Sequence, residues 1–160
     1  MQLKTIVHAE DGKQDLLITR EFDLPLELLF RAYAEPEIIE QVMSNPYTTA
    51  KLLKFEDRKH GSFVQESTDA QGKVVFRANG VIHEFSPNNK IIRTFEMENT
   101  PYGVQLEIYL FEAVSETTSK LNMHVIYESV AQRDQVLKLP FTHGLNMAHN
   151  RIEEIVFKLK

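Results

Sequence analysis

The sequence predicts an α+β fold in which a curved antiparallel β-sheet wraps around one long C-terminal α-helix, with two short helices after the opening strand region. Apolar residues alternate with a period of two through most of residues 51–127 and recur at helical spacing near the C-terminus. The breaks between the predicted strands are short, which favours antiparallel pairing because parallel strands need longer crossovers. We expect residues 1–160 to form a single domain.

The N-terminal segment predicts a hairpin and then two helices. The extended runs Leu3–Ala9 and Leu16–Phe22 flank an Asp-Gly dipeptide, which suits a tight turn. The helices Pro25–Ala34 and Pro36–Met43 both begin with proline. Proline is tolerated at a first helical position, because the N–H group there has no partner within the helix.

Six more strands and the long helix complete the predicted fold. A sheet of this width twists, so we expect it to curl around the helix Thr142–Leu159, whose apolar stripe includes Ile152. The segment Ala131–Leu139 is compatible with either a loop or a short helix. The six strands are Lys51–Asp57, Ser62–Ser67, Val74–Phe85, Ile91–Met97, Gln105–Phe111 and Lys120–Tyr127.

Composition excludes several classes of function. The formal net charge of -5 is spread without blocks of like charge, which argues against general affinity for nucleic acid or anionic membranes. Cysteine is absent, so thiol nucleophiles, cysteine-based zinc sites and disulfides are excluded. No apolar run reaches the length of about 18 residues that a membrane span needs, and Met1–Lys13 does not resemble a signal peptide. We therefore expect a cytoplasmic protein without membrane insertion.

The sequence contains no recognisable catalytic motif. A glycine-rich phosphate loop, a His-Glu-x-x-His motif and a Gly-x-Ser-x-Gly elbow are all missing. The six histidines are dispersed, and His149 and Glu153 lie at i, i+4, a spacing that fits a shared proton, a metal or an ordinary surface pair. We expect no catalytic set, no metal and no cofactor.

Arg93 is the strongest anomaly in the pattern. It has the same parity as Phe95 and Met97 on an otherwise apolar strand face, so it is expected to point inward. A buried guanidinium needs an acidic partner from the protein or from a ligand. If the preceding hairpin is centred at residues 87–88, Arg93 faces Ile82, and Glu84 lies one diagonal step away on the same face. Glu84 is therefore the expected partner, and the alternatives are that the face of the strand is assigned wrongly or that Arg93 lies at the rim with its head in water.

A curled sheet closed by one helix leaves a concavity, which suits either a solid core or an elongated apolar pocket. Four methionines fall on elements that can face it, and thioether side chains fill both irregular pockets and ordinary cores. Those methionines are Met43, Met97, Met123 and Met147. The candidate ligand-binding residues, taken from the expected inward faces, are Glu84, Arg93, Phe95, Met97, Leu106, Ile108, Met123, Val125, Tyr127, Leu145, Ala148 and His149.

An ordered set of short motifs resembles the heat-shock-protein-90 ATPase activator-like family. That family belongs to the START, polyketide-cyclase and birch-pollen-allergen superfamily of helix-grip folds. The chain departs from the family pattern at Val42 and Met43, where an aromatic pair is common, at Leu145, where tryptophan is usual, and at His60, where glycine is usual. The matching residues are Arg20, Phe22, Asp23, Pro25, Leu29, Phe30, Ala32, Pro36, Glu37, Asp57, Arg58, Gly61, Phe63, the segment Phe76–Phe85 with Gly80, Pro87, Ile91–Phe95 and Gly144.

The resemblance implies a helix-grip fold and leaves three functions open. The first is a protein that binds a small hydrophobic or amphipathic molecule, either as a monomer or as a homodimer. The second is a cyclase or dehydratase that acts on a polyketide-like substrate with groups such as Tyr127, His149 and Glu84. The third is a co-chaperone that contacts protein through the outer face of the sheet, although no residue of the sequence itself supports a chaperone contact.

Overall fold

The computed structural model describes residues 3–159 and confirms the helix-grip architecture. Within this part of the chain, eight strands form one antiparallel sheet and four helices cover its concave side. The strands are β1 (Ile6–His8), β2 (Asp15–Phe22), β3 (Thr49–Phe55), β4 (Ser62–Thr68), β5 (Val74–Ser86), β6 (Lys90–Met97), β7 (Val104–Ala113) and β8 (Ser119–Ile126). The helices are α1 (Leu26–Ala34), α2 (Pro36–Met43), α3 (Val130–Leu137) and α4 (Phe141–Phe157).

The strands lie in the order β1-β2-β8-β7-β6-β5-β4-β3, so the N-terminal hairpin continues the meander at its far end. Strand β2 pairs with β8 along its whole length, from Asp15 opposite Ile126 to Phe22 opposite Ser119. The concave side of this region carries the main core, because alternate residues of β2 and β8 are almost completely buried there. The predicted inward face of β8, which includes Met123 and Val125, is confirmed.

Helix α1 closes one end of the concave side with an aromatic cluster. The ring of Phe30 packs edge-on against Phe111 and Phe85, with centroid distances of 5.0 and 5.5 Å. Tyr33 packs on Tyr109 at 5.6 Å. Such pairs add stabilisation beyond the burial of their surface, and here they fix α1 against β7.

Helix α4 crosses the concave side but packs mainly against α1 and α2. Its C-terminal half is anchored by Ile152 and Val156, which are buried in the core. Its N-terminal half stands away from the strands and leaves space beneath it. The segment Ala131–Leu139, for which the sequence allowed a loop or a short helix, mostly forms helix α3. The side chain of Ser129 accepts a hydrogen bond from the backbone N–H of Gln132 and so caps the first turn of this helix. Among residues 3–159, no helix is long and apolar enough to cross a membrane.

The expected inward face of β7 is wrong. Leu106 and Ile108 lie on the outer face of the sheet, where they pair with Thr94 and Ile92 of β6. The inward residues of β7 are Glu107, Tyr109 and Phe111, all of them buried. Both faces of this strand contain large apolar side chains, so the alternation alone did not indicate which face points inward. The aromatic rings of 109 and 111 decide the orientation, because they fill the space beneath α1.

The expected position of Glu84 is also wrong, because β5 contains a bulge. Ile82 pairs with Arg93 as predicted, but Glu84 then pairs with Ile92. The extra residue moves the Glu84 side chain to the outer face, where it lies 3.9 Å from the ammonium group of Lys90. Glu84 therefore lies on the face opposite to Arg93 and does not contact it.

Candidate functional site

A cavity of about 730 Å³ lies between the N-terminal half of α4 and the concave face of the sheet. Helices α1 and α2 and the segment from α3 to α4 complete its walls, which are predominantly apolar. Eight of the twelve candidate residues line this cavity, namely Arg93, Phe95, Met97, Met123, Val125, Leu145, Ala148 and His149.

The other four candidates lie elsewhere. Leu106, Ile108 and Glu84 are on the outer face of the sheet, for the reasons given above. Tyr127 is buried in the core next to the cavity without lining it, and its hydroxyl has no hydrogen-bond partner within residues 3–159. Burial raises the pKa of Tyr127 above its ordinary value, and the nearby Glu107 carboxylate raises it further.

Three of the four methionines line the cavity. Met43, Met97 and Met123 contribute side chains from α2, β6 and β8. Met147 lies on the opposite side of α4 and is 43 % exposed. The flexible thioethers therefore gather on the cavity wall, where they suit an adaptable apolar surface.

The inward orientation of Arg93 is confirmed, and its partner is Glu107 of the neighbouring strand. The guanidinium Nε donates to Glu107 Oε1 at 2.8 Å, and one terminal nitrogen donates to the Tyr109 hydroxyl at 3.0 Å. The Tyr109 hydroxyl donates to the same carboxylate oxygen at 2.8 Å, and Gln105 Nε2 donates to Glu107 Oε2 at 2.7 Å. Glu107 therefore accepts hydrogen bonds from three donors.

Sequence reasoning missed this cluster, although the register of one turn contained the information. Arg93 stands directly opposite Glu107 in the β6–β7 pairing, just as Glu96 stands opposite Val104 beside the connecting turn. Counting outward from that turn, rather than from the β5–β6 hairpin, pairs the arginine with its carboxylate. Tyr33 and Gln65 are further polar residues that line the cavity and that sequence reasoning missed, since neither position gave a signal for it.

The Arg93 guanidinium also stacks on aromatic rings. It lies 4.5 Å from the centroid of Phe63 and 5.3 Å from that of Tyr109. The Phe63 ring occupies this place because Gly80, its partner on β5, has no side chain. A Cβ at Gly80 would lie 2.6 Å from Phe63 Cε1 and 1.9 Å from the carbonyl oxygen of Thr94. The absence of a side chain at Gly80 thus allows the Phe63 ring to pack against the Arg93 guanidinium.

The cluster is electrically balanced. Burial alone would lower the pKa of Arg93, but Tyr109 and Glu107 raise it above its ordinary value, so the guanidinium stays charged. Burial raises the pKa of Tyr109 well above its ordinary range, although Arg93 opposes this effect. Burial likewise raises the pKa of Tyr33. At neutral pH the cluster therefore contains one cation, one anion and two neutral phenols.

His149 lies elsewhere on the cavity wall and is neutral. Burial, with a contribution from the charge of Arg20, lowers its pKa from 6.5 to about 3. Its Nδ1 lies 2.5 Å from the Thr5 hydroxyl, and that hydroxyl accepts from Arg20 at 3.4 Å. The other ring nitrogen, Nε2, is buried without a partner within residues 3–159. Glu153 does not pair with His149 and lies 3.6 Å from Arg20 instead.

Within the described residues, no group of three or more histidine, aspartate or glutamate side chains is arranged to hold a metal ion. The polar chemistry available to the cavity is therefore hydrogen bonding by Arg93, Tyr33, Gln65, Gln105 and His149, together with the charge pair.

Several solved structures from bacteria share this fold at low sequence identity. A protein from Rhodobacter sphaeroides is similar with a TM-score of 0.86 and 18 % identity, over 97 % of this chain and 99 % of that chain. Protein Ms6760 from Mycobacterium smegmatis is similar with a TM-score of 0.80 and 22 % identity, over 96 % of each chain. A protein from Nitrosomonas europaea is similar with a TM-score of 0.79 and 20 % identity, over 96 % of this chain and 100 % of that chain. At these identities the likeness establishes the fold alone.

The family model described as Activator of Hsp90 ATPase homolog 1-like protein matches residues 23–156. A search of the curated proteins found no match. The matched segment runs from the turn before α1 into the last turn of α4, and so includes every cavity-lining residue discussed above. The chain therefore belongs to the family of Activator of Hsp90 ATPase homolog 1-like proteins.

Proposed function

We propose that this protein binds a small hydrophobic or amphipathic molecule in the cavity between α4 and the sheet. The observation that carries the proposal is the cavity itself, whose volume of about 730 Å³ falls within the range of about 300–1,000 Å³ typical of small-molecule sites. A well-packed domain of this size has little reason to keep so large an apolar space beneath its longest helix, because voids cost stability. A bound molecule would fill that space.

The polar end of the cavity supports an amphipathic occupant. One terminal nitrogen of Arg93 and the hydroxyl of Tyr33 have no hydrogen-bond partner within residues 3–159, and both residues line the cavity. These donors would meet a polar group of the ligand, while the methionines and aliphatic side chains would surround its apolar body. We also propose a cytoplasmic location, in keeping with the absence of cysteine.

A cyclase or dehydratase would use the same cavity. It would need an acid and a base in contact with the substrate, and the hydrogen-bonded pair of Tyr109 and Glu107 is the candidate for these roles. The geometry supports binding more strongly than proton transfer. Both oxygens of Glu107 already accept hydrogen bonds, and burial holds the proton on Tyr109. A general base instead needs a free acceptor with a pKa near the working pH.

The co-chaperone alternative is favoured by one observation on the outer face of the sheet. Ile92 of β6 lies beside Ile108 of β7 there, and Val104 and Leu110, on the same face of β7, are substantially exposed. Contiguous exposed apolar surface often marks a protein contact. Measuring the ATPase rate of purified heat-shock protein 90 with and without this chain tests the alternative, and an unchanged rate at saturating chain concentration would contradict it.

Ligand binding can be tested with N-phenyl-1-naphthylamine, a neutral dye whose fluorescence rises in apolar surroundings. We expect the folded protein to bind the dye and Met123→Trp to abolish binding, because the indole would occupy the cavity. Leu110→Trp is the matched control, since it adds the same side chain to the outer face of the next strand. Equal dye binding by wild type and Met123→Trp, with both proteins folded, would place the dye elsewhere and refute the proposal.

A further inference from the structure

The formal charge of the cavity wall sums to zero. Among the lining residues of the described chain, the formally charged side chains are Arg93 and Glu107, and they form a direct ion pair at 2.8 Å. The Arg93 side chain is 24 % exposed and that of Glu107 is 7 % exposed, so solvent screens this pair only weakly. The one lining histidine, His149, is neutral, because burial and the nearby charge of Arg20 lower its pKa to about 3.

A second anion has no unopposed positive charge to meet in this cavity. A ligand carboxylate that approached Arg93 would also approach Glu107, whose negative charge cancels much of the attraction. The carboxylate would in addition lose its hydration among apolar walls, which is costly for an ion that lacks a full partner. A carbonyl or hydroxyl oxygen avoids both penalties, and it can accept a hydrogen bond from the free nitrogen of Arg93 or from the Tyr33 hydroxyl.

We infer that the cavity selects uncharged oxygen-bearing amphipathic molecules, such as ketones, esters and alcohols, over the corresponding carboxylic acids, and that Glu107 is the residue that sets this preference. The inference rests on the proposed ligand-binding function and names its ligand class. The role of Glu107 is to cancel the charge of Arg93 while leaving that arginine able to donate a hydrogen bond.

The test uses two probes, 2-undecanone and decanoate, which share a nine-carbon tail and a carbonyl group. The carbonyl carbon carries a methyl group in 2-undecanone and a negatively charged oxygen in decanoate. Each probe competes with N-phenyl-1-naphthylamine in titrations of the wild-type protein and of Glu107→Gln. Glutamine keeps an acceptor for Arg93 and Tyr109 but removes the negative charge. Comparing the ratio of the two affinities between proteins cancels the intrinsic difference in hydrophobicity between the probes.

We expect wild type to prefer the ketone and Glu107→Gln to shift the affinity ratio toward decanoate by about tenfold or more, because its arginine is then unopposed. Glu84→Gln is the matched control, since it removes a carboxylate from the outer face and should leave the ratio unchanged. Arg93→Gln combined with Glu107→Gln restores a neutral wall and should restore the ketone preference.

The outcomes separate the inference from the function beneath it. If neither probe displaces the dye and the dye itself does not bind, the proposed ligand-binding function fails. If both probes bind and wild type takes decanoate as tightly as the ketone, ligand binding stands and the charge inference is overturned. This wild-type comparison needs no variant, so it can overturn the charge inference even if Glu107→Gln does not fold. An unchanged affinity ratio in folded Glu107→Gln would likewise overturn the role given to Glu107.

Discussion

The ion pair between Arg93 and Glu107 makes a quantitative prediction about stability. Breaking a buried pair by removing one partner costs about 3–5 kcal/mol. Arg93→Met should fall near the low end, about 3 kcal/mol, because Glu107 keeps Tyr109 and Gln105 as donors. Glu107→Leu should cost about 2 kcal/mol, because the arginine is 24 % exposed and still stacks on an aromatic ring.

The double variant removes both charges at once and leaves neither stranded. Replacing a buried pair by apolar side chains of similar size is often close to neutral, so we expect a cost of about 2 kcal/mol or less. The sum of the single costs then exceeds the double cost by about 3 kcal/mol, which is the expected coupling energy. Urea unfolding followed by circular dichroism measures all four proteins in the cycle.

A control and a refutation follow from the observed register. Glu84→Gln should change the unfolding free energy by no more than about 0.5 kcal/mol, because this carboxylate is on the outer face. A coupling energy below about 0.5 kcal/mol between Arg93 and Glu107 would show that they do not interact as described. Strong coupling of Arg93 to Glu84 would instead restore the pairing that the sequence alone predicted.

Three further outcomes are expected from the packing and the charges. Gly80→Ala should destabilise the fold by about 2 kcal/mol in urea unfolding, because the new methyl collides with Phe63 and a backbone carbonyl; unchanged stability would contradict that contact. Ile152→Asp should abolish the cooperative thermal transition, since it buries a charge where the wild-type residue is 2 % exposed, and an unchanged melting temperature would show that α4 does not pack as described. Because the pKa of His149 is lower in the folded chain (about 3) than its ordinary 6.5, the stability it contributes is complete above 6.5 and is lost as the pH falls toward 3. Between about pH 7 and pH 5 this loss amounts to about 2 kcal/mol, and His149→Gln should lack it; an equal pH dependence in both proteins would refute the assignment.

The sequence predicted the order and type of the elements because each depends on local chemistry. Helices α1 and α2 follow from proline at or just before their first residue, and α4 follows from its apolar stripe. The inward position of Arg93 followed from strand parity together with its apolar neighbours. These features need only the spacing of residues along one element.

What the sequence could not predict depends on contacts between elements. The bulge that turns Glu84 outward is one extra residue in β5, and alternation carries no signal for it. The orientation of β7 could not be predicted from its own alternation, because both of its faces contain apolar residues; only the register of the β6–β7 turn, which places Glu107 opposite Arg93, indicates it. The cavity is likewise a property of the distance between α4 and the sheet, which apolar spacing does not encode.

The central claim, that a small molecule occupies the cavity beneath α4, is tested most directly by the methyl signals of the methionines. In protein labelled at the methionine methyl groups, saturating 2-undecanone should shift the NMR signals of Met97 and Met123, which line the cavity, and leave Met147 unchanged as an internal control on the far side of the helix. Contacts between ligand protons and the methyls of Met97 and Met123 should appear in the same sample. Signals of Met97 and Met123 that stay unchanged at saturation, or a shift confined to Met147, would contradict the account.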